Sequence, residues 1–196
     1  MIIVDTETTG LDRWKCGLLS IGAVCFADPS KQFYGECRVR DDAIIDPEGM
    51  KVNGFTHEQI KDSEKQNELE LVQSFFSWLS QFEDQTIAGT NPSFDRDFIN
   101  FVAERNNLNE RIHYNTIDLH AVAYANFLKA GRSIPLKDHR SDIGNMGLYP
   151  LIGLPVEPQP HNALTGAKME AEAFSRIIYG KGLFEEYKRY PIISFT

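Results

Sequence analysis

The chain has 196 residues, 42% of them hydrophobic and 24% charged, which suits one globular domain with a sizeable core. A net charge of −8 and a pI of about 5.1 argue against nucleic-acid binding by bulk positive charge, though not against a local site where metal ions supply the positive field. No stretch approaches the roughly 20 apolar residues that span a bilayer, so no membrane association is expected.

The N-terminus runs straight into an apolar stretch with no basic region, so no signal peptide is expected. Three cysteines, Cys16, Cys25 and Cys37, have an odd count and no metal-type spacing. A reduced, cytoplasmic protein is the simple expectation.

The first element is Ile2-Ile3-Val4-Asp5-Thr6-Glu7-Thr8, a short β-branched run closed by Gly10. It reads as a buried strand. Residues two apart share a face of a strand, so Asp5 and Glu7 point the same way. Two neighbouring carboxylates on a buried strand form half of a metal site for Mg²⁺ or Mn²⁺. If the strand runs out into solvent, they are ordinary surface acids. Leu11 to Gly17 is polar and irregular, and a loop fits. Leu18 to Phe26 predicts a second strand, with Gly22 and Ala23 small enough for something to pack closely. Lys31 to Val39 predicts a third. Short links between the three predict an antiparallel meander.

Asp46-Pro47-Glu48-Gly49 breaks the chain. Thr56 is set to cap a short helix, with Gln59 as its reciprocal partner. Glu68 to Phe82 carries Leu69, Val72, Phe75, Phe76 and Leu79 at spacings of three and four, the mark of an amphipathic helix. Thr86 to Gly89 predicts another strand. Pro92 then suits the first turn of a helix and Asn91 its cap. Phe94, Phe98, Ile99 and Val102 form that helix's packing face. Asp95 falls in its first turns, either a ligand-binding acid at a strand end or an acid favoured by the helix dipole.

Tyr114 to Leu119 predicts a short buried strand entering a helix, Leu119 to Lys129, with Asp118 as helix cap. Gly131 to Pro160 is rich in Gly, Pro and charge and shows no periodicity. Its basic cluster, Lys137, His139 and Arg140, reads as a solvated surface or a phosphate contact. His161 lies in the loop before a last helix, which ends near Tyr179 and Gly180.

Taken together, three segments resemble the motifs of the DEDD superfamily of 3′-5′ exonucleases, of the type with a catalytic histidine, which includes polymerase proofreading domains and ribonuclease T. Asp5-Thr6-Glu7-Thr8-Thr9-Gly10 is similar to the first motif. Asn91-Pro92-Ser93-Phe94-Asp95 with Phe98 is similar to the second. His161-Asn162-Ala163-Leu164 is similar to the third. The resemblance implies an α/β, ribonuclease-H-like mixed sheet flanked by helices, its first three strands antiparallel and the later ones parallel. It also implies a two-metal Mg²⁺ or Mn²⁺ exonuclease that hydrolyses single-stranded DNA or RNA from the 3′ end. In that reading Asp5, Glu7 and Asp95 hold the metals and His161 is the general base. Thr8, Thr9 and Gly10 let the terminal nucleotide approach, and Phe94 or Trp14 offers a stacking face. Members of the superfamily are often dimers, so a homodimer is compatible with it.

One position departs from the pattern. The family places an aspartate five residues after the histidine, and here that residue is Gly166. Glycine cannot ligate a metal, so impaired hydrolysis is expected. Glu170, one helical turn later, is a candidate to reach back. The competing reading is a non-catalytic module that binds nucleic-acid ends on the same fold.

Overall fold

The computed structural model describes residues 1–193. Its main sheet has five strands in the order β3-β2-β1-β4-β5. β1 (Ile2–Thr8), β2 (Leu18–Cys25) and β3 (Gln32–Glu36) form the expected antiparallel meander. β4 (Ile87–Gly89) and β5 (Thr116–Asp118) add to β1 in parallel. The mixed sheet anticipated from the motif order is therefore present.

Period-two alternation in β1 divides the molecule into two layers. Ile2 and Val4 face one core, with α3 (Glu68–Leu79) and α4 (Pro92–Arg105). Ile3 faces the other, with α5 (Leu119–Lys129) and α7 (Ala163–Tyr179). Asp5 and Glu7 continue the Ile3 side and so point towards α7. The remaining helices are α1 (Pro47–Asn53), α2 (His57–Lys61) and α6 (Asn145–Leu151), with a small β6–β7 hairpin, Leu136–Lys137 and Arg140–Ser141.

Several local signals hold. Thr56 and Gln59 form the reciprocal capping box, and Asp118 caps α5 by accepting from the His120 amide at 2.8 Å. Others fail. Asn91 adopts a left-handed conformation, φ 54°, and makes no capping bond to α4. Its side chain accepts from Ser93 Oγ instead. β5 is half-buried, not buried, because it is the edge strand. The segment Gly131 to Pro160, which has no apolar periodicity, contains α6 and the hairpin. Lys137 and Arg140 sit in that hairpin and His139 at its turn, all exposed.

One close approach seats α7 on the sheet. A Cβ on Gly22 would lie 2.1 Å from the Ala163 carbonyl carbon and 2.2 Å from the Leu164 nitrogen. Only glycine lets β2 and the start of α7 meet in this way. Asn162 caps α7 through the Leu164 and Thr165 amides and donates to Tyr34 Oη of β3 at 2.9 Å. Gly22→Ala should therefore lower stability by about 1–3 kcal/mol, the usual cost of forcing a methyl group into a filled space. Denaturant unfolding measures it, and an unchanged midpoint would show that the helix yields freely.

Candidate active site

The C-terminal end of β1 carries Asp5, Glu7 and, on its other face, Thr6. Thr6 Oγ1 donates to Asp95 Oδ1 at 2.8 Å, and this bond brings the α4 acid to the strand end. Asp95 is buried. Asp5, Glu7, Glu157 and His161 line one cleft of about 220 Å³, together with Asn145 and Tyr149. The candidate acids and the histidine anticipated from sequence thus meet in one region of the fold.

His161 is held from two directions. Its amide donates to the Val52 carbonyl of α1 at 2.9 Å, and its Nδ1 lies 3.8 Å from Glu157 Oε2. The same end of α1 also grips β1, because Asn53 Nδ2 donates to the Thr8 carbonyl at 3.0 Å. The Asn53-Gly54 segment therefore fixes the histidine loop relative to the acidic strand.

Gly166 faces this site. A Cβ built there would lie 2.1 Å from Asp5 Oδ2 and 3.3 Å from Glu157 Oε1. The space next to the missing side chain is taken by the Asp5 carboxylate. Glu170 is buried nearby, with Oε1 accepting from Asn145 Nδ2 at 3.0 Å.

Three of these residues were not singled out by sequence: Glu157, Asn145 and Tyr149. They come from the aperiodic Gly/Pro-rich segment, where only the position of Glu157 four residues before His161 offered a clue.

Electrostatics marks the cluster as strained. Burial, then the charges of Glu170, Asp95, Glu7 and Glu157, push the Asp5 carboxyl well above the usual range. Burial, with Glu157 and Asp95, raises Glu7 to about 8. Burial raises Asp95 to about 7, opposed by the Thr6 hydrogen bond. Burial also raises Glu170 to about 8, opposed by its bond from Asn145. Among the described residues, no lysine or arginine forms an ion pair with any of these acids, and Glu157 meets only His161.

The donor set fits a hard divalent cation. Carboxylate oxygens suit Mg²⁺ and Mn²⁺. Two of them, Glu157 Oε1 and Glu170 Oε2, are buried without a hydrogen-bond partner, a costly state that a cation would relieve. Among the described residues, no three acidic, His or Cys side chains are already drawn around one point.

A second cavity of about 340 Å³ adjoins the first and shares Thr6 and Glu7 with it. Thr8, Gly10 and Phe94 line it, beside Leu11 and Asn53. Phe94 is half-buried with its ring 4.9 Å from that of Phe98, so one face of the pocket is aromatic. Thr9 does not belong there. It is fully buried, its Oγ1 donating to the Ile44 carbonyl at 2.6 Å and accepting from the Gly17 amide at 2.8 Å. Its hydroxyl ties the end of β1 to the segments around Gly17 and Ile44, so the side chain itself does not face either cavity. Trp14 is exposed, with its edge on Phe101, and lines neither of these two cavities.

Residues 1–178 match the family described as the 3′-5′ exoribonuclease Rv2179c-like domain. The chain belongs to this family. It is 34% identical over 104 residues to the 3′-5′ DNA exonuclease Cap18 of Escherichia coli, a match covering 51% of this chain and 54% of that one. It is 27% identical over 175 residues to the DNA polymerase III subunit epsilon of Treponema pallidum (strain Nichols), covering 89% of this chain and 74% of that one. The match thus spans about half the length of Cap18. Exonuclease I has the same fold: one structure superposes with a TM-score of 0.73 at 18% identity, covering 92% of this chain and 40% of that chain. Another holds E. coli exonuclease I with a dT13 oligonucleotide, at a TM-score of 0.69 and 16% identity, covering 89% of this chain and 40% of that one. The Rv2179c-like family and the exonuclease I fold agree with the ribonuclease-H-like, DEDD-type reading of the three motifs. Among the described residues no helix is long and apolar enough to cross a membrane.

The raised carboxyls of this Rv2179c-like domain predict a pH effect. The folded state holds protons on Glu7, Asp95 and Glu170 to higher pH than the unfolded chain does. Stability is then fully present below about pH 4 and is lost as pH rises towards about 8 in metal-free buffer. Glu7→Gln should flatten that decline and stabilise the metal-free chain at pH 8 by about 1–2 kcal/mol. Thermal melts with chelator across this range test it, and a parent curve that does not fall between pH 5 and 8 contradicts it.

Proposed function

We propose that this chain is a Mg²⁺- or Mn²⁺-dependent 3′-5′ exonuclease acting on single-stranded DNA or RNA ends, slowed by Gly166. One observation supports it above the others. Asp5, Glu7 and Asp95 gather at the end of β1 near His161, and beside them Glu157 Oε1 and Glu170 Oε2 are buried without a hydrogen-bond partner.

Asp5, Glu7 and Asp95 would hold the ions. Bound there, divalent cations supply charge to neutralise the scissile phosphate and lower the pKa of water. His161 is the proton acceptor in this reading, because it reaches the cleft from the rim and is about one-third exposed. Glu157 Oε2, 3.8 Å from its Nδ1, helps to orient the imidazole. The neighbouring pocket of Thr8, Gly10 and Phe94 receives the terminal nucleotide, with the Phe94 ring available for stacking. The exposed Lys137, His139 and Arg140 hairpin is a phosphate contact for the strand. Three free, buried cysteines agree with a reducing cytoplasm.

The missing carboxylate at 166 favours a second reading, a module that binds strand ends without cutting them. End-labelled single strands with Mn²⁺ separate the two. Gly166→Asp should raise 3′-end cleavage roughly tenfold or more, the scale on which supporting metal ligands act. The new side chain needs the Asp5 carboxyl to turn away, because its Oδ2 and Cγ lie 2.1 and 2.9 Å from the new Cβ. If neither form cuts while both bind strand ends, the module reading stands.

His161→Ala in the Gly166→Asp background should slow cleavage by roughly 100-fold or more while calorimetry shows nearly unchanged Mn²⁺ affinity. Metal affinity that collapses with the alanine would make His161 a ligand and not the base.

A further inference from the structure

We infer that Glu157 supplies the metal-binding carboxylate that position 166 lacks, delivered from the loop before His161 instead of from the helix after it. This rests on the reading of the cleft as a divalent-metal site.

The geometry carries it. A Cβ at position 166 would lie 3.3 Å from Glu157 Oε1, so the Glu157 carboxylate already stands next to the place where a side chain from α7 would begin. Oε1 is buried and has no hydrogen-bond partner, and the side chain as a whole is only 10% exposed. Glu157 lines the same cleft as Asp5, Glu7 and His161. Its other oxygen faces His161 Nδ1, which leaves Oε1 free to bind.

The loop is suited to hold it. Its sequence is Pro155-Val156-Glu157-Pro158-Gln159-Pro160. Each proline fixes its own φ, and Pro158 restricts Glu157 to extended conformations. A glutamate on such a stiff loop loses little further freedom on binding a cation.

Glu170 is the rival, being the more deeply buried and also having a free oxygen. It is placed differently. Asn145 occupies its Oε1, and its Oε2 lies against β4, 2.9 Å from where a Cβ on Gly89 would be. It does not line the cleft. Its role is to set the charge and position of Asp5 from behind the strand end.

The test is calorimetric titration of Mn²⁺ into the full chain and four variants: Glu157→Gln, Glu170→Gln, Gly166→Asp, and Gly166→Asp with Glu157→Gln. Glu157→Gln should weaken Mn²⁺ binding roughly 10–100-fold in this chain, the range typical for lost ligands and their supports. In the Gly166→Asp background the same change should cost about threefold or less, because the aspartate takes over and the two sites are coupled. Glu170→Gln should cost less than Glu157→Gln. Glu157→Asp keeps the charge but shortens the reach, and should also weaken binding in this chain; it serves if the glutamine variant misfolds. Equal losses in both backgrounds, an unaffected Glu157→Gln, or a larger loss from Glu170→Gln overturns the inference. If Gly166→Asp binds no Mn²⁺ at all, the metal-site reading itself falls, a different result from Mn²⁺ binding that ignores Glu157.

Discussion

Repulsion among carboxylates is the constraint around which this end of the molecule is built. Burial raises the protonation of five acids here, Asp5, Glu7, Asp95, Glu157 and Glu170, and the charges of neighbouring acids raise Asp5, Glu7 and Glu170 further. Any one of them would be more stable in water. The rest of the fold supplies the opposing free energy. Ile2, Ile3 and Val4 are completely buried and tie β1 into both cores, so the strand cannot withdraw its acidic end from α7.

The supports are spread across the sequence, and each answers a specific electrostatic or steric need. Thr6 gives Asp95 one hydrogen bond. Asn145 gives Glu170 another. α1 holds both the Thr8 carbonyl and the His161 amide, so the acidic strand and the histidine loop share one clamp. Gly22 lets α7 lie against β2, which sets the depth of Gly166 and Glu170 relative to Asp5. These contacts are polar and few, while the layers behind them are apolar and extensive. The site is thus an unfavourable arrangement imposed by a well-packed frame, a common situation where binding groups must be held ready.

Which parts were legible in the sequence follows from the range of the signals. β1 was readable because its pattern is local: a β-branched run with acids two apart. α3 and α4 were readable from spacings of three and four. The resemblance carried by the motif order then implied a mixed sheet, antiparallel first and parallel later. Asn91 misled because its residue type favours a cap, while its backbone had to turn sharply out of β4 and took the left-handed conformation that asparagine tolerates. The part played by the Thr9 side chain was not legible, because its hydroxyl is bound by Ile44, 35 residues on, and by Gly17. Asn145, Tyr149 and Glu157 were invisible because α6 is two turns long and lies in a segment without periodicity. Asn145 matters through Glu170, 25 residues on, and Glu157 through its place beside Gly166 and Asp5, and no local periodicity encodes either.

The consequence for Gly166 follows from the same frame. An aspartate at 166 would add a sixth acid to the five already there, so the glycine lowers the repulsion even as, on the proposed reading, it leaves out a ligand. Asp5 Oδ2 lies within 2.1 Å of the point a Cβ would occupy, which shows that the vacated volume is shared by the remaining acids and has not become an empty cavity. A backbone that carries three prolines in six residues holds one acid at the edge of that space, and a strand buried on both faces holds two more. On the proposed reading, gathering cations depends less on any single acid than on how rigidly the frame keeps several of them together.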